Sequence, residues 1–227
     1  MIIDVIIPAL NEANSIGLVL QNIPNQLVRH IVVADNGSTD ETARIAEENG
    51  ATVVSAPQKG YGTACLTGMA YIQNLSTQPD IVVFLDGDFS DYPEQMPDIV
   101  RPIVEGDMDL VIGSRALGQC EGGAMTLPQK FGNWLATTLI RWIYGYHFTD
   151  LGPFRAITWA ALQKLDMQDP DFGWTAEMQV KAARKKLKTT EVPVNYKKRI
   201  GISKVSGTIK GSLLAGYKIL KVVFRGR

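Results

Sequence analysis

A chain of 227 residues, 45% apolar and 20% charged, has the balance of a folded globular protein with one substantial core. Its two cysteines, Cys65 and Cys120, have no paired spacing, which argues against a disulfide scaffold and fits a reducing compartment. The net charge is zero, yet Lys181 to Arg227 carries fourteen Lys or Arg against one acid, Glu191, so the C-terminal part is expected to meet something anionic: phosphate, an acidic membrane surface or nucleic acid.

The chain opens directly on strand-like sequence, and no run of about 18 apolar residues follows, so neither a secretion signal nor a transmembrane helix is expected. Ile2 to Ile7, interrupted only by Asp4, reads as a buried strand ended by Pro8. Ile16, Val19, Leu20 and Ile23 recur at helical spacing. A second strand covers His30 to Ala34 and ends at Asp35. Ser38-Thr39-Asp40-Glu41 has the spacing of a capping box, which predicts a helix from there to about Asn49, closed by Gly50. A short strand follows over Ala51 to Ser55. Gly60 and Gly62 mark a loop before a helix near 63–75. Ile81 to Leu85 is an unbroken apolar strand that runs into Asp86-Gly87-Asp88. A helix near Gln95 to Val104 and a strand near Leu110 to Gly113 complete the first half.

Strands alternating with helices predict an α/β fold with a mostly parallel sheet flanked by helices. Right-handed crossovers put the strand ends along one edge, where open sheets bind ligands. The polar clusters fall there: Pro8 to Glu12, Asp35 to Asp40, Asp86 to Asp88, and Arg115. In the second half, Leu127 to Tyr146 predicts a long helix bearing Phe131, Trp134, Leu135, Leu139, Trp142 and Ile143. Trp174 to Lys186 reads as a helix and Lys188 to Tyr196 as a strand. The stretch from Arg199 to Thr208 reads as a loop, and Ile209 to Phe224 as an amphipathic helix with a basic tip.

Asp86-Gly87-Asp88 carries the chemistry. A buried strand delivers two carboxylates two residues apart, with a glycine that lets the backbone bend. Hard oxygens of this kind suit Mg²⁺ or Mn²⁺, which bridge a diphosphate and neutralise charge as a nucleotide leaves. The competing reading is a solvated turn.

Pro8-Ala9-Leu10-Asn11-Glu12, Asp35-Asn36-Gly37-Ser38-Thr39-Asp40 and Asp86-Gly87-Asp88, in that order, resemble the family-2 glycosyltransferases of the GT-A (Rossmann-like) fold, closest to the dolichyl-phosphate mannose and glucose synthase branch. Thr149 to Arg155, Gly173 to Met178 and Arg199 to Lys204 extend the likeness over nearly the whole chain. The resemblance implies one domain over 1–227, with a nucleotide-sugar half over 1–115 and an acceptor half over 116–227 that ends in amphipathic helices and the basic tail. It implies donor contacts from Pro8, Leu10, Glu12, Asp35, Gly37, Lys59, Asp86 and Gly87. Asp86 and Asp88 would hold Mg²⁺ or Mn²⁺, Asp88 and Arg115 would act at the reaction centre, and Arg199, Ser203 and Lys204 would close over phosphate. One departure stands out: where mannose synthases of this group carry Gln-His after the acids, this chain has Ser90 and Asp91, which adds Asp91 to the metal candidates.

The implied reaction is an inverting displacement at an anomeric carbon. An alcohol acceptor needs a general base, for which Glu177 and Asp150 are the candidates; a phosphate acceptor arrives ionised and needs none. The leading expectation is hexose transfer from UDP-glucose or GDP-mannose to a polyprenyl or dolichyl phosphate, by a protein held peripherally at the cytoplasmic face of a membrane through its aromatic and basic helices. The alternatives are a family-2 enzyme with a soluble acceptor and a non-catalytic nucleotide- or membrane-binding module. A nucleotidyltransferase would carry a glycine-rich basic loop after the first strand, where Asn11-Glu12 stands. A dehydrogenase would carry G-x-G-x-x-G there. No motif for reading nucleic acid accompanies the basic tail, and no pattern encodes an oligomeric state.

Overall fold

A computed structural model describes residues 1–201 and 209–225. Seven strands form one mixed sheet: β1 (Ile3–Ala9), β2 (His30–Asp35), β3 (Thr52–Ser55), β4 (Ile81–Phe84), β5 (Leu110–Ser114), β6 (Arg155–Thr158) and β7 (Thr189–Pro193), in the order β3-β2-β1-β4-β6-β5-β7. Every pairing is parallel except the two made by β6, which runs against β4 and β5. The mostly parallel α/β fold expected from the alternation is therefore present.

Two apolar layers sandwich the sheet. Val5, Ile7 and Ala9 of β1 face α1 (Ile16–Asn22), α2 (Thr42–Glu48) and α4 (Met96–Gly106). Ile6 points the other way, into the layer built by α3 (Tyr61–Gln73), α5 (Leu127–Tyr144), α6 (Trp159–Leu165), α7 (Trp174–Arg184) and α8 (Ile209–Arg225). The alternation is the period-two consequence of the strand. Asp4, on the same face as Ile6, is fully buried, and Arg29 offsets its charge with two hydrogen bonds of 2.5 and 3.0 Å.

Several expectations are corrected. Pro8 lies inside β1 rather than ending it. β4 pairs only as far as Ile6, so the missing proline N–H falls where β1 has β2 alone beside it. The expected capping box does not cap α2, which begins at Thr42 without a side-chain cap. Its polar residues reach across to the loop after β1 instead. The Ser38 Oγ accepts from Asn11 N at 2.9 Å, the Thr42 Oγ1 accepts from Glu12 N at 2.8 Å and Asp40 accepts from Ala13 N at 3.2 Å. α3 begins at Tyr61, two residues before the expected start, and β7 ends at Pro193, short of Tyr196. β6 and α6 were not expected at all. β6 is four residues long and opens on a buried arginine, too short and too polar to display a strand period.

α5 carries a true capping box, with Thr126 and Gln129 exchanging hydrogen bonds, Pro128 in the first turn and Gly145 in a left-handed conformation at the end. α8 packs on α5 and α7, and the Tyr144 hydroxyl donates to the Val223 carbonyl at 2.6 Å.

Candidate active site

The carboxyl ends of β1, β2 and β4 open into a cleft of about 440 Å³. Pro8, Leu10 and Glu12 line it from the loop after β1, Asp86, Gly87 and Asp88 from the end of β4, and Lys59 from the loop after β3. Arg199, 187 residues from Glu12 in sequence, closes one side. Eight of the sequence-derived residues therefore meet in one cleft, most of them because parallel strands end at the same edge.

Glycine shapes the opposite wall. A Cβ on Gly62 would sit 1.9 Å from the Asp169 carbonyl oxygen, and one on Gly60 would sit 2.1 Å from that of Pro170. Only glycines let the start of α3 approach this segment so closely. Thr63 N donates to the Pro170 carbonyl at 2.9 Å, which fixes the approach. Asp171 and Phe172, just beyond, become lining residues.

The two central acids have different environments. Asp88 is buried. Its Oδ1 accepts from the Ser90 N–H and hydroxyl, and its Oδ2 faces Arg199 at 3.2 Å. Asp86 accepts a 2.9 Å hydrogen bond from the Tyr61 hydroxyl. Burial and the neighbouring Asp88 charge push the Asp86 carboxyl up to about 7. Burial, then Asp86, pushes the Tyr61 hydroxyl well above its ordinary range, so it remains a donor. Arg199 also reaches Glu12 at 2.9 Å and thus bridges two acids across the cleft.

Asp91 lies deeper. Both of its oxygens are buried without a hydrogen-bond partner, and burial, reinforced by Asp86 and Asp88, holds its carboxyl well above the usual range. Among the described residues no three His, Cys, Asp or Glu side chains are arranged to hold one ion. The expected trio of Asp86, Asp88 and Asp91 is corrected accordingly: Asp91 is a buried neighbour of the pair. Two hard carboxylates would still suit Mg²⁺ or Mn²⁺, which take oxygen ligands and need only one or two from protein.

Asp35 and Gly37 do not line the cleft. Asp35 accepts from Ser38 N at 3.3 Å, and Gly37 takes the turn with φ 82°. Asn36 lines it instead. Its side chain donates to the Ala56 and Gln58 carbonyls and accepts from Gly60 N, fastening the loop that presents Lys59. The motif around Asn36 was visible in the sequence, but its middle residue was not singled out. Tyr61 sat beside an obvious glycine pair; Asp171 and Phe172 had no signal.

A second cavity of about 300 Å³ shares Tyr61, Asp86, Asp88, Phe172 and Arg199 with the cleft and runs toward α5, where Gln129, Asn133, Leu151, Pro153 and Tyr196 line it. Arg115 lines it too. Asp150 binds that guanidinium through two bonds of 2.7 Å and accepts from Arg115 N at 2.8 Å. Burial opposes the Arg115 charge, but Asp150 outweighs it and raises the pKa. The guanidinium also lies 5.0 Å from the centre of the Tyr196 ring. Asp150, buried and saturated by Arg115, holds that residue in place and is withdrawn as a base.

Glu177 is also withdrawn. It lies outside both cavities, accepts from Gln168 N and Asp169 N at 2.8 to 3.1 Å and pairs with Lys181 at 2.8 Å. It pins the segment before α7, and only through that segment touches the cleft wall. Ser203 and Lys204 fall outside the described residues. Among the described residues no helix is long and apolar enough to cross a membrane.

The family model described as glycosyl transferase family 2 matches residues 4–165. An uncharacterized glycosyltransferase of Mycobacterium tuberculosis is 33% identical over 222 residues, 97% of this chain and 97% of its own length. An undecaprenyl-phosphate mannosyltransferase of Micrococcus luteus is 30% identical over 221 residues, 91% of this chain and 88% of its own. Among solved structures, glucosyl-3-phosphoglycerate synthase from Mycobacterium tuberculosis bound to phosphoglyceric acid superposes with a TM-score of 0.78 at 25% identity, covering 99% of this chain and 79% of that one. The same enzyme with Mn²⁺, UDP-glucose and glycerol 3-phosphate gives a TM-score of 0.76 at 25% identity.

Proposed function

This chain belongs to glycosyl transferase family 2, and from that membership we infer that it transfers a hexose from a nucleoside-diphosphate donor to an acceptor that carries a phosphate. The carrying observation is the junction of the two cavities: Asp86 and Asp88 stand where the donor cleft meets the cavity that leads to Arg115.

Pro8, Leu10, Glu12 and Lys59 hold the donor, with Lys59 toward its phosphates. Asp86 and Asp88 would hold Mg²⁺ or Mn²⁺; the Mn²⁺ and UDP-glucose bound by the phosphoglycerate enzyme support this choice. When bound, the ion supplies positive charge against the departing nucleotide. Tyr61 orients Asp86 through its hydrogen bond. Arg115, kept charged and fixed by Asp150, receives the acceptor phosphate and aims it at the anomeric carbon. Arg199 leaves Glu12 and Asp88 for a phosphate as the donor enters.

Both base candidates are engaged elsewhere, by Arg115 and by the segment before α7. That favours an acceptor whose nucleophilic oxygen arrives ionised. A lipid phosphate meets this requirement and is the acceptor of the Micrococcus relative. On the outer face of α5, Leu127, Phe131, Trp134 and Trp142 are 57 to 81% exposed beside Lys130 and Arg141. These side chains suit the interface of a membrane at its cytoplasmic face. The soluble phosphorylated acceptor of the phosphoglycerate enzyme supports a second reading, a small phosphate ester as acceptor.

The test offers radiolabelled UDP-glucose and GDP-mannose, with Mn²⁺, to undecaprenyl phosphate, dolichyl phosphate and 3-phosphoglycerate. Label in the lipid fraction is the expected result. Label on 3-phosphoglycerate alone selects the second reading, and no Mn²⁺-dependent transfer to any phosphate acceptor contradicts both.

A further inference from the structure

The Arg115–Asp150 pair also borders a groove of about 610 Å³ along α5, most of whose lining has no part in the transfer proposed above. Its floor is one stripe of the helix: Lys130, Trp134, Thr138 and Arg141 follow at spacings of three or four. His147 lies at the Arg141 end and Cys120 on the facing segment.

Three observations make this more than a solvated basic face. The groove is concave. The one acid among its described lining residues is Asp150, whose carboxylate Arg115 cancels with paired hydrogen bonds. Lys130 and Arg141 form no ion pair among the described residues, and α5 carries no Asp or Glu over its 18 residues. Eleven residues of helix separate the two cations, roughly 16 Å at the rise of an α-helix. Between them lie the Thr138 side chain and the half-exposed indole of Trp134. An extended ligand fits that pattern: anionic where it meets a cation, hydroxylated where it crosses the middle.

We propose that this groove is a second, non-donor site that binds the phosphate of an organophosphate through Lys130 or Arg141, with a polar body lying over Trp134 and Thr138. The chemistry is shared by a free phosphate ester and by a phospholipid head group. The site goes beyond the transfer reaction but shares Lys130, Trp134 and Arg141 with the face proposed for membrane contact; its failure would leave the donor and Mn²⁺ reading untouched.

Cys120 provides the readout, because it is exposed and the other cysteine, Cys65, is 0% exposed. The full chain is labelled with a maleimide in the presence of glycerol 3-phosphate, phosphatidylglycerol vesicles, phosphatidylcholine vesicles or glycerol. The expected result is slower labelling with glycerol 3-phosphate, with phosphatidylglycerol, or with both. Protection by the soluble ester alone identifies a free phosphate ester as the source. Protection by phosphatidylglycerol alone identifies a head group. The Lys130→Gln/Arg141→Gln variant should need about tenfold more ligand, through loss of the one cation that holds the phosphate, whereas Lys130→Arg/Arg141→Lys should behave as wild type. Mn²⁺–UDP affinity, measured on the same samples, should be unchanged. The proposal is overturned by no protection, by equal protection in the neutralised variant, by equal protection from phosphatidylcholine, or by a matching loss of UDP affinity.

Discussion

At the scale of the residue, the acids at the end of β4 are held in check by groups that must yield. Arg199 supplies a counter-charge to Glu12 and Asp88 that a divalent ion would otherwise supply. Arg199→Gln should therefore tighten Mn²⁺ binding in the absence of nucleotide, by roughly tenfold if one charge-assisted contact of ~1.5 kcal/mol no longer competes. Calorimetric titration with Mn²⁺ alone checks this, and unchanged affinity would show that Arg199 does not compete. Asp86 adds a pH signature. Its pKa rises from 3.8 to about 7 through burial and the Asp88 charge, so the folded chain binds that proton more tightly than the unfolded chain. Stability without metal should consequently fall as pH rises from about 4 to 7. Over the same window the carboxylate needed for an ion forms. Mn²⁺ should raise the melting temperature at pH 8 and scarcely at pH 5, and Asp86→Asn should flatten the metal-free decline. Equal Mn²⁺ shifts at both pH values would assign the ion elsewhere.

At the scale of the element, the cleft is built by close approach as much as by side chains. Gly62→Ala places a methyl group 1.9 Å from a backbone oxygen, which no rotamer change relieves. The start of α3 must separate from segment 169–171, at a cost of about 1 to 3 kcal/mol. Denaturant unfolding should report that loss, together with a higher KM for the donor because Tyr61, Asp171 and Phe172 shift. The sequence made the strand-end part of this site legible: apolar strands running into polar clusters put Pro8, Glu12, Asp86 and Asp88 on one edge. It was silent wherever long-range contact decides. Asp150 reads as a free acid until Arg115, 35 residues away, is seen to grip it. Glu177 reads as a helix-end charge poised for chemistry until Gln168 and Asp169 are seen to occupy it. The capping-box spacing at 38–41 was real, but the loop after β1 offered those side chains better-placed donors. Arg155 hid β6, because a buried arginine that donates to the Leu151 and Gly152 carbonyls is a local fold device with no sequence period.

At the scale of the whole molecule, donor cleft, second cavity and exposed α5 face follow one another, with charge changing from acidic to basic along the way. That succession suits the membrane-bound acceptor proposed above: a soluble donor entering from one side and a phosphate presented from the other. Trp134 and Trp142 are 57% and 78% exposed, so replacing both by Ser should leave the melting temperature within about 1 °C. The same change should abolish sedimentation with vesicles that contain anionic lipid. Unaltered sedimentation would exclude α5 from the membrane contact. The central claim is that Asp86 and Asp88 hold a divalent ion against a donor diphosphate. Its most direct measurement is the anomalous signal from crystals grown with Mn²⁺ and UDP. The account predicts one Mn²⁺ peak coordinated by the Asp88 or Asp86 carboxylate and by both UDP phosphates, with Arg199 moved off Asp88. A diphosphate bound elsewhere, or a cleft with UDP but with both carboxylates still on Arg199 and Tyr61 and no Mn²⁺ between, would contradict it.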